Sequence, residues 1–141
     1  MGDEPVSRIG LMGGTFDPIH NGHLLLAQFI VEQVELDEVL FTPAADPPHK
    51  EHRRDIAAAE HRWRMVEFAI AGVPYFRSSR SELDRPGKSY TVDTLRELAR
   101  DCPGAKLYLI VGSDHAGVGD FYGALDDSWQ GLCGYNVSVL R

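Results

Sequence analysis

The chain has 141 residues, 43% of them apolar and 25% charged, which is one domain's worth of sequence able to bury a core. A net charge of −7 argues against a general nucleic-acid or anionic-membrane surface, which would need a basic stripe, but allows a local nucleotide pocket. No apolar run approaches the ~20 residues of a membrane span, and the opening MGDEPVSRIG lacks the basic and apolar regions of a signal peptide. Cys102 and Cys133 stand far apart with no CxxC, so reduced thiols in a cytoplasm are the expectation.

Arg8 to Met12, RIGLM, is a short apolar run ending in Gly13-Gly14, which suits a buried strand feeding a turn. From Gly22 the text GHLLLAQFIVEQVEL is dense in apolar positions (Leu24, Leu25, Ala27, Phe29, Ile30, Val31 and Val34) and predicts a helix packed on a sheet. Glu38 to Ala44 is a second strand candidate, and residues 45–54, ADPPHKEHRR, form a polar, proline-marked loop. Ala57 to Gly72 reads as a helix, Tyr75 to Ser79 as a third strand, and Pro86-Gly87 as a turn. Ser89 is placed to cap the next helix, TVDTLRELAR, whose Val92, Leu95, Leu98 and Ala99 share one face. AKLYLIVG is another buried strand, and YNVSVL near the end allows one more. Strands alternating with helices give an α/β domain with a mostly parallel sheet, whose ligands sit at the carboxyl ends of the strands.

That rule singles out GGTFDPIHNGH, residues 13–23. His20 and His23 flank the first helix's N-terminus, three residues apart and so on one face. The open N–H groups and helix dipole there favour an anion by roughly 0.3–1 kcal/mol for each charge interaction. Gly13 and Gly14 carry no β-carbon, so ligand oxygens could approach the backbone closely. Imidazoles with a pKa near ~6.5 add donors that become cationic beside phosphate. The arrangement is a phosphate cradle without the spacing of a P-loop or of a dinucleotide fold. Two plainer readings stand beside it: helix caps with no chemistry, and a zinc pair, for which no third ligand lies at metal spacing.

GGTFDPIHNGH resembles the signature of the nucleotidyltransferase superfamily whose core motif is H/T-x-G-H, filled by His20-Asn21-Gly22-His23. With two glycines in front and His at the first motif position, it is similar to nicotinate-mononucleotide adenylyltransferases. Pro47-Pro48-His49-Lys50 resembles that branch's PPHK loop, Ser89-Tyr90-Thr91-Val92-Asp93-Thr94-Leu95 its SYTxDTL segment, and Ile110-Val111-Gly112-Ser113-Asp114 its ribose-binding strand end. The helix AAAEHRWRM between them also reads like the family's second helix.

The resemblance implies an α/β, Rossmann-like doubly wound parallel sheet of the nucleotidyltransferase type. It makes residues 1–141 a single domain, family-like over 8–114, divergent over 115–141 and incomplete at the C-terminus. The implied reaction joins nicotinate mononucleotide to ATP, with Mg²⁺ carried by the ATP, giving nicotinate adenine dinucleotide and pyrophosphate in NAD biosynthesis. The nucleotide's phosphate is already ionised and attacks the α-phosphorus directly, so positioning, worth roughly 7–11 kcal/mol, and charge stabilisation carry the rate. His20 and His23 would hold ATP phosphates, and Lys50 would add a positive charge. Gly13, Gly14, Thr15 and Phe16 would line the ATP path, with Gly112 and Asp114 at its ribose. Tyr90 and Thr91 would meet the nicotinate nucleotide, with Tyr122 or Trp129 against its ring. Asp17 reads equally as a turn cap or a functional carboxylate, and Trp63 as packing. ATP and nicotinate mononucleotide are the expected partners, with no nucleic acid, no membrane, and a homo-oligomer possible.

The family's later Ile-Ser-Ser-Thr segment and phosphate-gripping arginine find no counterpart after Asp114. A missing arginine contact of that kind is worth ~1.5–3 kcal/mol. A truncated, non-catalytic nucleotide-binding module therefore stands as an alternative, beside a related phosphopantetheine or cytidylyl transferase.

Overall fold

The computed structural model describes residues 7–45, 56–86, 90–110 and 137–140. In chain order these form β1 (Arg8–Gly14), α1 (Asn21–Val34), β2 (Glu38–Pro43), α2 (Ala59–Ile70), β3 (Phe76–Ser78), α3 (Ser81–Asp84), α4 (Thr91–Asp101), β4 (Lys106–Ile110) and β5 (Val137–Leu140). The strands make one sheet in the order β3-β2-β1-β4-β5, and every pairing is parallel. This is the doubly wound arrangement the sequence predicts: β1 lies at the centre, and the chain winds outward from it first to one side, then to the other.

Both faces of the sheet are covered, which is why the strands read as continuous apolar runs. Successive side chains alternate between two cores. Met12, Val39, Phe41, Tyr108 and Ile110 pack with Ala27 and Ile30 of α1 and Val66 and Ile70 of α2. Ile9, Leu11, Leu107 and Leu109 pack with Val92 and Leu95 of α4, where Leu98 and Ala99 complete the predicted face.

Four details differ from the sequence reading. The first strand runs through both glycines to Gly14. Leu25 and Phe29, expected to pack, are 69% and 57% exposed, because only the stripe through Ala27 and Ile30 reaches the sheet. A short helix, α3, follows β3 where no helix was expected. The cap position of α4 is Tyr90, in extended backbone and without a side-chain cap bond, while Ser89, the predicted cap, lies outside the described residues.

Thr42, near the end of β2, carries a local cost. It is fully buried, and its hydroxyl finds no hydrogen-bond partner among the described residues. An unpaired buried hydroxyl costs about 1–3 kcal/mol. Thr42→Val keeps the shape and removes the polar atom, so its unfolding free energy should rise by about 1 kcal/mol or more. Guanidinium unfolding of the two proteins checks this, and an equal or lower midpoint for the valine variant would contradict it.

Candidate active site

The centre of a doubly wound sheet leaves a crevice where the winding reverses, at the carboxyl end of β1. Residues 15–20 cross that edge from Gly14 to α1. Phe16 is buried with φ +51°, a left-handed conformation costly for a bulky residue, and Ile19 anchors the turn in the core. The Asp17–Pro18 peptide is cis.

His20 is the N-cap of α1, in extended backbone. Its Nδ1 accepts from the Gly22 N–H at 3.1 Å, and the His20 N–H donates back to Nδ1 of His23 at 3.1 Å. Two imidazoles thus replace the Ser/Thr and Glu/Gln of an ordinary capping box. Their ring centroids lie 4.0 Å apart, tilted by 35°, so the pair sits on one face as the spacing predicts. With Nδ1 accepting, each neutral ring carries its proton on Nε2, a tautomer assigned from the hydrogen bonds. The cap bonds thus turn Nδ1 of each ring toward the backbone of the first turn. The plain capping reading is therefore compatible with the functional one: the cap orients the ring.

Gly22 has a definite reason to be glycine. A β-carbon there would stand 2.8 Å from Cε1 and 3.0 Å from Nδ1 of His20, inside the ring's own place. The first turn of α1 holds no acidic side chain, so the positive end of its dipole is not cancelled locally. At Gly13 an added β-carbon would meet nothing nearer than the Thr42 carbonyl oxygen at 3.8 Å. Among the described residues, packing does not demand glycine there. At Gly14 an added β-carbon would lie 3.6 Å from the Phe16 ring, an ordinary contact. Thr15 and Phe16 bury their side chains, and the Thr15 carbonyl is taken by Arg62.

Behind the histidines runs a line of aromatic edges. Phe16 meets His23 with centroids 5.0 Å apart at 77° and Phe41 at 6.1 Å, and Phe41 meets Phe76 at 5.0 Å. The His23 ring is thus buttressed from the core.

Sequence reasoning gave Arg62 no role, yet among the described residues it is the largest fully buried side chain. Its Nε donates to the Ala57 carbonyl at 2.9 Å, Nη1 to Thr15 at 2.8 Å and Ala44 at 2.6 Å, and Nη2 to Ala45 at 3.4 Å. A helical stripe gave the signal: Arg62, Val66 and Ile70 are the buried residues of α2. Asp17 does not cap its own turn: its two oxygens accept from the Ala57 N–H, just before α2, at 3.3 and 3.4 Å. Trp63 is half-buried beneath the Arg80 guanidinium, 5.2 Å from its ring, rather than in the core.

The crossover from β3 to β4 brings the N-terminus of α4, with exposed Tyr90 and half-buried Thr91, to the same carboxyl edge on the opposite face. Beside it, Thr94 donates to the buried Glu82 carboxylate at 2.6 Å and accepts from Arg85, which also pairs with Glu97 at 2.8 Å. Burial raises the Glu82 carboxyl above its ordinary value, against the Thr94 hydrogen bond and Arg85, which lower it. The folded chain therefore holds this proton more tightly than the unfolded chain. Stability from this group is full below the ordinary carboxyl pKa and is lost as pH rises through the raised value. Glu82→Gln should flatten that fall in a series of melting curves from pH 4 upward, and an unchanged slope would contradict the burial argument.

Lys50, Gly112, Asp114, Tyr122 and Trp129 lie outside the described residues. Among the described residues no three His, Cys, Asp or Glu side chains converge as a metal site, and no helix is long and apolar enough to cross a membrane.

A cytidylyltransferase-like family profile matches residues 11–127. A probable nicotinate-nucleotide adenylyltransferase of Thermus thermophilus is 56% identical over 107 residues, 76% of this chain and 56% of that protein. Its namesake in Clavibacter michiganensis is 48% identical over 110 residues, 78% of this chain and 54% of that protein. The chain thus spans about half the length of these curated relatives. Plasmodium falciparum nicotinic acid mononucleotide adenylyltransferase, solved in complex with NaAD, superposes with a TM-score of 0.63 at 20% identity, over 82% of this chain and 56% of that one. At that identity the likeness speaks for the fold.

Proposed function

The chain belongs to the cytidylyltransferase-like family, and from that membership we propose that it performs adenylyl transfer, joining nicotinate mononucleotide to ATP with release of pyrophosphate. The observation that carries the reading is the stacked His20–His23 cap at the carboxyl end of the central strand. The printed names of the Thermus and Clavibacter relatives, and the NaAD in the Plasmodium complex, support the choice of nucleotide.

In this reading the ATP triphosphate lies over the N-terminus of α1. Nε2–H of His20 and His23 donates to phosphate oxygens, with the α1 dipole behind them, and these donors answer the charge that grows on the departing pyrophosphate. Gly13, without a β-carbon, lets the nucleotide approach, while Gly14, Thr15 and Phe16 shape that path. Tyr90 and Thr91 take the nicotinate nucleotide at the α4 N-terminus. Lys50, Gly112, Asp114 and either Tyr122 or Trp129 are assigned by motif position. The attacking phosphate is already ionised, so the chain supplies alignment and charge and no general base.

Mg²⁺ fits this site as a companion of the triphosphate, because such ions keep water and phosphate ligands and need few protein carboxylates. The nearby Asp17 is engaged with Ala57. The ion would neutralise phosphate charge when bound. The substrates are small and water-soluble, in keeping with a cytoplasmic enzyme.

The test is pyrophosphate release from MgATP with nicotinate mononucleotide, nicotinamide mononucleotide or phosphopantetheine, and from CTP with a phosphorylated alcohol. It is run on the chain alone and joined to the C-terminal part of the Thermus relative. Release with the nicotinate nucleotide is expected. Release only with another pair would move the assignment within the family, and ATP binding without turnover in both proteins would favour a binding module.

A further inference from the structure

Arg62 spends its guanidinium on backbone. Two strand ends, at Thr15 after β1 and at Ala44 and Ala45 after β2, and the approach to α2 at Ala57 all place carbonyls on it. Carbonyls at the ends of strands have lost their ladder partners and are costly to bury unpaired. A planar fork of donors satisfies several of them at once, which a point charge does not.

The two chain positions flanking Phe16 are fixed by this fork. Thr15 is held directly through its carbonyl. Asp17 is held through Ala57, whose N–H reaches the Asp17 carboxylate while its C=O accepts from Arg62. Phe16 between them adopts φ +51°, a conformation that persists only where its surroundings over-determine it. The Phe16 ring then meets the edge of His23. We propose that Arg62 is a positioning residue for adenylyl transfer: by clamping Thr15 and Asp17 it holds Phe16, and through Phe16 the His23 imidazole, in the geometry the phosphates require. This rests on the adenylyl-transfer reading for its kinetic consequence only, since the clamp itself can be read from the ring.

Arg62→Lys keeps the charge and stem but loses the fork. In folded protein, kcat for pyrophosphate release should fall by about tenfold to a hundredfold, as for a slight misplacement of a reacting group, while KM for ATP moves less than about threefold. A residue that only supported the fold would lower the melting temperature and leave kcat per folded molecule unchanged. The second readout is the ¹⁵N spectrum of the His23 ring, which should show one tautomer with the proton on Nε2 in the parent and a mixture in Arg62→Lys. A folded Arg62→Lys protein with parental kcat and parental His23 spectrum overturns the proposal. Should that variant not fold, Asp17→Ala carries the test, because Asp17 is exposed and the change removes its link to Ala57 and its charge facing Arg62, the two ties it makes to the clamp. A several-fold fall in kcat and a His23 tautomer change are expected, and parental values overturn the proposal. If the parent itself shows no turnover, the adenylyl-transfer reading fails, and the ring spectra still decide whether Arg62 positions His23.

Discussion

Replacing His23 with alanine should cut pyrophosphate release by about 10²–10³-fold, the usual effect of removing one donor aimed at developing charge. The fold should survive. The variant loses one acceptor of the α1 cap, worth typically ~1 kcal/mol, and an edge contact to Phe16. The other cap bond, from Gly22 to His20, remains. The loss should appear in kcat rather than in KM, because a donor matched to the leaving pyrophosphate acts mostly in the transition state. Turnover near the parental value in folded His23→Ala would remove the phosphate role from this pair and leave the histidines as caps.

The second large effect comes from a residue with no side chain. Gly22→Ala would put a methyl group 2.8 Å from the His20 ring, and among the described residues only that ring is met so closely. The cheapest relief is for the imidazole to swing out of its cap, carrying Nε2 off the phosphates. Alanine is the better helix former by roughly 0.5–1 kcal/mol, which offsets the lost cap bond, so melting should change little. Turnover should nevertheless fall by about tenfold or more, by the same misplacement argument as above. A double-mutant cycle isolates the cause. If the methyl acts only through the ring, Gly22→Ala adds nothing once His20→Ala is present. Additive losses would show that Gly22 matters for another reason, such as contact with the nucleotide itself.

The sequence made the architecture legible because β1, β2 and β4 are largely buried and α1, α2 and α4 each turn a stripe toward the sheet. RIGLM and AKLYLIVG read as buried strands and Val92 and Leu95 as one helix face, and Ile9, Leu11, Leu107 and Leu109 pack with that face in one core. The proposed site rests on a pattern the sequence also displays, since glycines and spaced histidines at a strand-to-helix junction suit an anion as well as a plain cap. What stayed hidden depends on contacts distant in sequence. Asp17 caps a peptide forty residues onward, and Arg62 bonds Thr15 forty-seven residues back. The cap geometry was hidden for a different reason. Spacing put the two imidazoles on one face, but only coordinates show that each spends Nδ1 on the backbone. Leu25 and Phe29 misled because apolar density along a helix does not say how wide a stripe the sheet will cover.

The cradle itself is tested most directly by the ¹⁵N spectrum of histidine-labelled protein titrated with MgATP and no second substrate. The chain has six histidines, and His20→Ala and His23→Ala assign the two that matter. The account predicts that both rings carry their proton on Nε2 before ATP is added, and that both Nε2 signals shift saturably as it binds while Nδ1 stays an acceptor. Rings protonated on Nδ1, or signals from His20 and His23 that do not move with bound ATP, would contradict it.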